Sequence, residues 1–400
     1  MLAGEAALWR RYMVERSIPY WIATVDPMGG YALSDDAARG RKAPLEKQLV
    51  SQARMVWGLS FAHRHGLCPG GNACIHAAQH GVLYLRSRMK DFVHGGYYFA
   101  VQPDGGPRDP RKLVYGQAFA IYALVEWFRA SGDRSALSDA MELFHLLHFR
   151  AHDHVHHGWT EHFERDWTPL PRHAPDAIVE VAGLKSANTH LHLLEAFTEL
   201  YRETHDSRVR SALEECVHLN QRHFYPRDPG RSAFHFNPNW SPVTDPASAG
   251  LSYGHNVEFA WLMIRAEEAM GRRPSWGHFH AHMEHCLRFG TDHARGGIYN
   301  RGLGNQPATD TSKVWWAQAE WIAALSDGIR HVPDHAAYTA ALVKVLSFMR
   351  NRATDPRTGI WLDTVAADGT PKSTGLAHSW KTLYHDTRGL VKFVEAFSRA

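Results

Sequence analysis

The sequence predicts an all-α protein, an (α/α)6 barrel of twelve helices arranged in an inner and an outer layer. Three observations lead there: a turn motif that occurs six times, a pair of helical stretches for every turn, and no chain left over once six units are counted. The motif is an Asp, then one or two Gly within about five residues, then an aromatic or β-branched pair. It reads Asp26…Gly29-Gly30-Tyr31, Asp91…Gly95-Gly96-Tyr97-Tyr98, Asp153…Gly158-Trp159, Asp228-Pro229-Gly230, Asp292…Gly296-Gly297-Ile298-Tyr299 and Asp355…Gly359-Ile360-Trp361. Successive glycines lie roughly 62 to 72 residues apart, the mark of one supersecondary unit repeated along the chain. Asp suits such a turn because its side chain bonds the backbone ahead, and Gly because it adopts positive φ cheaply.

Apolar residues between the turns recur at helical spacing. One set covers 44 to 66 (Leu49, Met55, Val56, Leu59, Ala62), 112 to 132, 184 to 206, 252 to 271, 312 to 329 and 379 to 398. A second set alternates with it near 3 to 21, 70 to 92, 135 to 152, 207 to 224, 276 to 290 and 333 to 352. Six such hairpins are too hydrophobic to stand alone and are best buried by closing into a ring. An open helical solenoid is the competing architecture, but it calls for more uniform repeats and polar capping units at the ends.

At 400 residues the length allows two or three domains, yet no Pro/Ser/Gly-rich linker or charge block interrupts the repeats, so a single domain over 1–400 is expected. A net charge of +3, without a basic cluster interleaved with aromatics, argues against a nucleic-acid partner. The start of the chain, with Glu5 inside Met1 to Trp9, lacks a sustained apolar core. No apolar run approaches a bilayer-spanning length, so a cytoplasmic protein without a membrane partner is expected. Cys68, Cys74, Cys216 and Cys286 show no CxxC pairing and are expected as reduced thiols rather than with Cys68 and Cys74 bridged.

The 29 histidines stand out. His278, His282 and His285 could share one helical face with His280 and Cys286 close by, as zinc ligands do, but the segment belongs to an outer helix and carries no HExxH arrangement. Surface histidines are therefore expected there, and no metal. His152, His154, His156 and His157 fall in a turn, where backbone capping or solvent exposure accounts for them.

Polar and aromatic residues open the helices that follow the turns: Gln52 and Arg54; Tyr115 and Gln117; Asn188 and His192; His255 and Glu258; Trp315, Trp316 and Gln318; Trp380, Lys381 and His385. In a barrel all six starts converge on one mouth and form a pocket. Asn188 and His192 are i, i+4 neighbours, and His255 and Glu258 are i, i+3 neighbours, so each pair shares a face and the carboxylate can orient or charge its imidazole.

Five blocks carry a resemblance: Lys47-Gln48-Leu49-Val50-Ser51-Gln52-Ala53-Arg54-Met55-Val56-Trp57, Asn188-Thr189-His190-Leu191-His192-Leu193-Leu194-Glu195-Ala196, Gly254-His255-Asn256-Val257-Glu258, Lys313-Val314-Trp315-Trp316-Ala317-Gln318-Ala319-Glu320 and Trp380-Lys381-Thr382-Leu383-Tyr384-His385. In content and order they resemble the N-acylglucosamine 2-epimerase superfamily over essentially the whole chain. That resemblance implies an (α/α)6 barrel and an enzyme rearranging an aldose at C1 and C2, a 2-epimerase or an aldose-ketose isomerase. It implies His255 and His385 as acid/base residues, and Arg54, Tyr115, Asn188, His192, Glu258, Trp315, Trp316 and Trp380 as the sugar-holding set. Trp315 and Trp316 are not expected to point inward equally.

The chemistry suits these residue types on its own terms. A proton α to an aldehyde is weakly acidic, so abstraction needs a base poised near neutral pH and donors for the enediolate oxygen. Imidazole supplies the base; Arg54 with His192 would supply charge. No cofactor is required, and no GxGxxG follows a strand to suggest a nicotinamide. Arg16-Ser17-Ile18-Pro19-Tyr20-Trp21 followed by Asp26-Pro27-Met28-Gly29-Gly30-Tyr31 looks closer to the epimerase branch, which favours 2-epimerisation over conversion of mannose to fructose. Trp380-Lys381-Thr382-Leu383-Tyr384-His385 departs from the WKCPYH form of cellobiose 2-epimerases, and Asn256 replaces an Asp common there. Both favour a free monosaccharide such as mannose or glucose. Two other classes remain open: a glycoside hydrolase or lyase using Asp166 and Glu258 as paired carboxylates, and a non-catalytic sugar- or protein-binding role. The oligomer is expected to be a monomer or homodimer.

Overall fold

The computed structural model describes residues 2–172, 174, 181–244, 250–332 and 334–398. Among them, six helices form an inner ring: α2 (Leu49–Arg64), α4 (Val114–Ser131), α6 (Ala187–Thr204), α8 (Tyr253–Ala269), α10 (Trp315–His331) and α12 (Tyr384–Phe397). The outer layer holds α1 (Leu2–Tyr12, continued by Met13–Ser17 and Ile18–Ile22), α3 (Ala73–Tyr84), α5 (Arg134–Arg150), α7 (Ser207–Leu219), α9 (Trp276–His285) and α11 (Ala336–Arg352). Each inner helix packs on the next, α12 returns to α2, and α1 covers α12, so the ring is closed as the repeats predict. The inner helices are buried on nearly every face, whereas the outer ones keep a single buried stripe.

The predicted helical windows begin too early, because the residues just ahead of the inner helices are short strands. Lys47–Gln48 pairs with Ala100–Val101, Lys112–Leu113 with His162–Phe163, Lys185–Ser186 with His235–Phe236, Leu251–Ser252 with Arg301–Gly302, and Lys313–Val314 with Thr364–Val365. Asp35–Asp36 pairs with Gly375–Ala377, tying the first unit to the last. These antiparallel pairs lace neighbouring units together around the end of the barrel where the inner helices start.

Five of the six Asp turns form as expected. Asp26, Asp91, Asp153, Asp292 and Asp355 each accept hydrogen bonds from the backbone two or three residues ahead. The fourth copy does not: Gly230 lies in a 3-10 turn, Pro229–Arg231, without a positive φ. Four of the turn aspartates are braced by a lysine two residues before an inner helix, Lys47 to Asp26 (2.9 Å), Lys112 to Asp91 (2.9 Å), Lys185 to Asp153 (2.8 Å) and Lys313 to Asp292 (2.9 Å). The fourth unit, the one whose turn differs, has Leu251 at that lysine position.

Gln52, Gln117 and Gln318 are not pocket residues, contrary to expectation. Each clamps the turn of its unit, accepting from the backbone N–H and donating to the C=O of Tyr31, Tyr97 and Ile298 respectively. His190 does half of this work in the third unit, accepting from Trp159 N at 3.1 Å. Two further expectations fail. Cys68 and Cys74 form a disulfide, because glycines at 66, 70 and 71 with positive φ fold the connection back until the two Cα atoms lie 5.7 Å apart. Cys216 and Cys286 are buried free thiols. The histidines of α9 are not surface residues either: His282 and His285 are buried, and His278 and His285 bond the carbonyls of Tyr225 and Gly304, because this face of α9 packs inward. Among the described residues no helix is long and apolar enough to cross a membrane.

Buried histidines make stability sensitive to acid. Burial pushes His190 and His282 down to about 3 from the ordinary 6.5. Between those values the unfolded chain holds the protons and the folded one does not, so stability falls as pH drops from 6.5 toward 3. Each such site contributes roughly 1.4 kcal/mol per pH unit in that window. The melting temperature measured by calorimetry is expected to fall steadily from pH 7 to pH 4.5, and a flat profile would contradict the burial.

Candidate active site

The first turns of the inner helices enclose a cavity of about 140 Å³ lined by Arg54, Tyr115, Asn188, His192, His255, Glu258, Trp315, Trp316, Trp380 and His385. These are the ten residues the family resemblance implies, brought together from all six inner helices, with Trp380 from the turn before α12; Lys381, also expected there, instead donates to Leu376 O. Asp166 is not among them: it is exposed, in the turn after Phe163, while Glu258 is fully buried. Asp166 and Glu258 therefore do not form the carboxylate pair a hydrolase would use.

Two imidazoles pack against one indole. Trp316 has its ring centroid 4.5 Å from that of His255 and 5.7 Å from that of His385. Both tryptophans line the cavity, and Trp315 packs edge-on to His378 at 5.9 Å. Trp316 fits because residue 254 is a glycine. A Cβ there would lie 2.7 Å from the Trp316 ring and 2.8 Å from Ala317 Cβ. Gly254→Ala is expected to displace the indole, costing on the order of 10²-fold in kcat/KM and about 1–3 kcal/mol of stability, as steady-state kinetics and urea melts would report.

Each imidazole is tied back by one ring nitrogen. His385 Nδ1 donates to Glu320 Oε1 at 2.7 Å, which leaves Nε2 with its lone pair. His192 Nδ1 donates to Glu195 Oε2 at 2.9 Å. His255 Nδ1 is 2.9 Å from Ser252 Oγ, the N-cap of α8, and not on Glu258 as its i, i+3 spacing suggests. Glu258 turns instead to Arg388, and the partner of His192 is Glu195 rather than Asn188. Burial holds His192 below its ordinary pKa, so it is neutral rather than the cation expected, and it lowers His255 strongly and His385 to about 3. Burial thus favours the neutral form of all three, and leaves His385 a weaker base than the near-neutral one the chemistry calls for.

Beneath the cavity lies a group no motif announces. Arg388, fully buried, donates to Glu195 through Nη1 and to Glu258 and Glu320 through Nη2, both at 2.7 Å. One guanidinium therefore carries the carboxylates behind His192 and His385 and the one lining the cavity. Burial and the neighbouring Glu320 push Glu258 up, while Arg388 and His385 outweigh burial and hold Glu320 at about 2. Spacing offered a partial signal, since His192 and Glu195, like His385 and Arg388, are i, i+3 pairs.

Several buried polar atoms at the cavity have no protein partner: Arg54 Nε, Asn188 Oδ1, Glu258 Oε2 and Trp315 Nε1. Arg54 is otherwise fixed, donating to Trp380 O at 3.0 Å and Tyr115 Oη at 2.6 Å and lying 4.3 Å over the Phe119 ring. Donors and acceptors left open in a small cavity suit a polyhydroxylated ligand. Glu258, Glu320 and His385 bring ligand atoms within 4.8 Å of one another, as a metal site does, but Arg388 already occupies both carboxylates with its own charge.

The sequence model described as N-acylglucosamine 2-epimerase (GlcNAc 2-epimerase) matches residues 29–388. The chain belongs to this family. A cellobiose 2-epimerase of Ruminococcus albus is 30% identical over 392 residues, 95% of each chain. A D-mannose isomerase of Thermobifida fusca is 27% identical over 341 residues, 79% of this chain and 76% of that one. The solved cellobiose 2-epimerase of Spirochaeta thermophila superposes with a TM-score of 0.89 at 30% identity, covering 99% of this chain and 97% of the other. The protein is a sugar epimerase or isomerase with the α/α-barrel fold of its family.

Proposed function

We propose that the chain, acting as one catalytic domain over 1–400, 2-epimerises a free aldose of the mannose or glucose type through a cis-enediolate. The observation that carries this reading is the pair of imidazoles lining one cavity, His255 and His385, both packed against Trp316. Proton abstraction and return at opposite faces of one carbon need two such groups.

With the sugar ring open, His385 Nε2 takes the C2 proton, its Nδ1–H held by Glu320 so that the developing imidazolium is stabilised. The electron pair moves into the C1–C2 bond and the charge onto O1, where Arg54 supplies a fixed cation. His255, its Nδ1 hydrogen-bonded to Ser252 Oγ, takes up a solvent proton and delivers it from Nε2 to the other face of C2, returning to neutral imidazole while His385 releases the abstracted proton to solvent. The reverse reaction exchanges the two roles. Asn188, His192, Glu258 and the tryptophans Trp315 and Trp380 hold the hydroxyls and ring, and Tyr115 orients Arg54. The cavity, smaller than the roughly 300–1,000 Å³ of pockets for larger ligands, favours a single sugar unit.

Delivery of the proton to C1 instead of C2 gives a ketose from the same intermediate, and the similarity to a D-mannose isomerase keeps that reading as the second. Product analysis by NMR with D-mannose, D-glucose and cellobiose as separate substrates tests the proposal. Interconversion of mannose and glucose is expected. Fructose as the main product moves the chain to the isomerase reading, and turnover of cellobiose without turnover of mannose overturns the monosaccharide assignment.

A further inference from the structure

The third Asp turn carries a substitution that its sister turns avoid. In the second and fifth turns the residue whose N–H bonds the Asp carbonyl is Gly95 or Gly296, at φ +75° and +90°. At the same place in the third turn, with the same bonds from His157 N to Asp153 O and from Asp153 N to Gly158 O, stands His157 at φ +67°. A side chain in the left-handed region is disfavoured where glycine is not. A backbone outlier of this kind, held by the surrounding turn, points to what its side chain does.

The His157 ring is held over Glu215 of α7. His157 Nδ1 is 3.7 Å from Glu215 Oε1, and His152 Nε2 is 2.8 Å from Oε1 and 3.0 Å from Oε2. The three ligand atoms lie within 4.8 Å of one another. Around a tetrahedral zinc at 2.0–2.2 Å from its ligands, neighbouring ligand atoms are roughly 3.3–3.5 Å apart, within about half an ångström of both contacts to Glu215. The surroundings match what a metal-bound imidazole requires. With His152 Nε2 on a metal, its Nδ1–H is free to donate to His154 Nδ1, 3.0 Å away. Glu215 is oriented by Gly158 N, which donates to Oε1 at 2.7 Å.

We propose that His152, His157 and Glu215 bind a borderline divalent cation such as Zn2+, with the exposed side of His157 leaving the fourth position to water. None of the three lines the catalytic cavity. The ion cross-braces the third turn to α7 and takes no part in turnover. Two imidazoles and one carboxylate select this class of metal over Mg2+ or Ca2+, which prefer all-oxygen sets.

Calorimetric titration of the full-length protein with Zn2+ tests the site, with His157→Gly and Glu215→Gln as variants because other surface histidines add background. His157→Gly restores the residue the sister turns use, so its metal-free melting temperature is expected to equal or exceed that of the wild type, separating loss of a ligand from loss of fold. The expected result is one saturable equivalent in the wild type that is absent, or weakened at least about tenfold, in both variants, with a Zn2+-dependent rise in melting temperature only in the wild type. Equal stoichiometry and affinity in all three proteins, or no binding by the wild type at millimolar Zn2+, would overturn the proposal.

Discussion

Replacing His385 by Asn is expected to lower kcat/KM by about 10²–10⁴-fold, the usual contribution of a positioned acid/base group, with the far-UV spectrum unchanged. The amide keeps much of the ring's volume and a bond to Glu320, but offers no basic nitrogen to the sugar. His255→Asn is expected to fall in the same range, since each direction of epimerisation uses both imidazoles. Because burial lowers His255 strongly and His385 to about 3, the acidic limb of kcat/KM for the wild type is expected below the ordinary histidine value of 6.5. Full activity in both single variants would refute the assignment.

Replacing Arg388 by Met is expected to cost about 3–5 kcal/mol, the range for removing one partner from a buried ion pair. Glu195, Glu258 and Glu320 would then face one another with no cation between them. Their carboxyls would rise above their unfolded values, so the folded variant would hold protons that its unfolded chain has released. Stability of the variant should therefore decline as pH rises, and its deficit against the wild type should widen from pH 5 to pH 8 in urea melts. Activity should fall as well, because Glu320 and Glu195 would no longer be fixed behind His385 and His192. Arg388→Lys is not expected to restore either property, since a point charge cannot serve three carboxylates from a planar fork. A deficit that is small and independent of pH would mean that Arg388 is only a packed side chain.

What was legible in the sequence and what was not follow from the range over which each signal acts. The ring of helices could be read because its unit repeats; the common starting end of the inner helices pointed to fourteen pocket residues, of which Gln52, Gln117, Gln318 and Lys381 do not line the cavity, and the ten that do are the set the family resemblance implied. Periodicity along one helix says nothing of partners on another. Arg388 reaches residues 193, 130 and 68 positions away, and Lys313 braces Asp292 across a turn and a strand. The assignment of Glu258 to His255 failed for that reason: sharing a helical face allowed the contact, and a stronger cation on α12 took the carboxylate. The histidines of α9 misled because an outer helix still buries one stripe. The Cys68–Cys74 bridge depended on a loop conformation set by three glycines rather than on cysteine spacing alone.

The central claim, two histidines exchanging a C2 proton through a common enediolate, is most directly tested by proton NMR of the enzyme with D-mannose in deuterium oxide. Glucose carrying deuterium at C2, formed by the wild type and lost in His255→Asn and His385→Asn, is the predicted result. Epimer that retains its original C2 proton, or deuterium at C2 that persists in both variants, would contradict it.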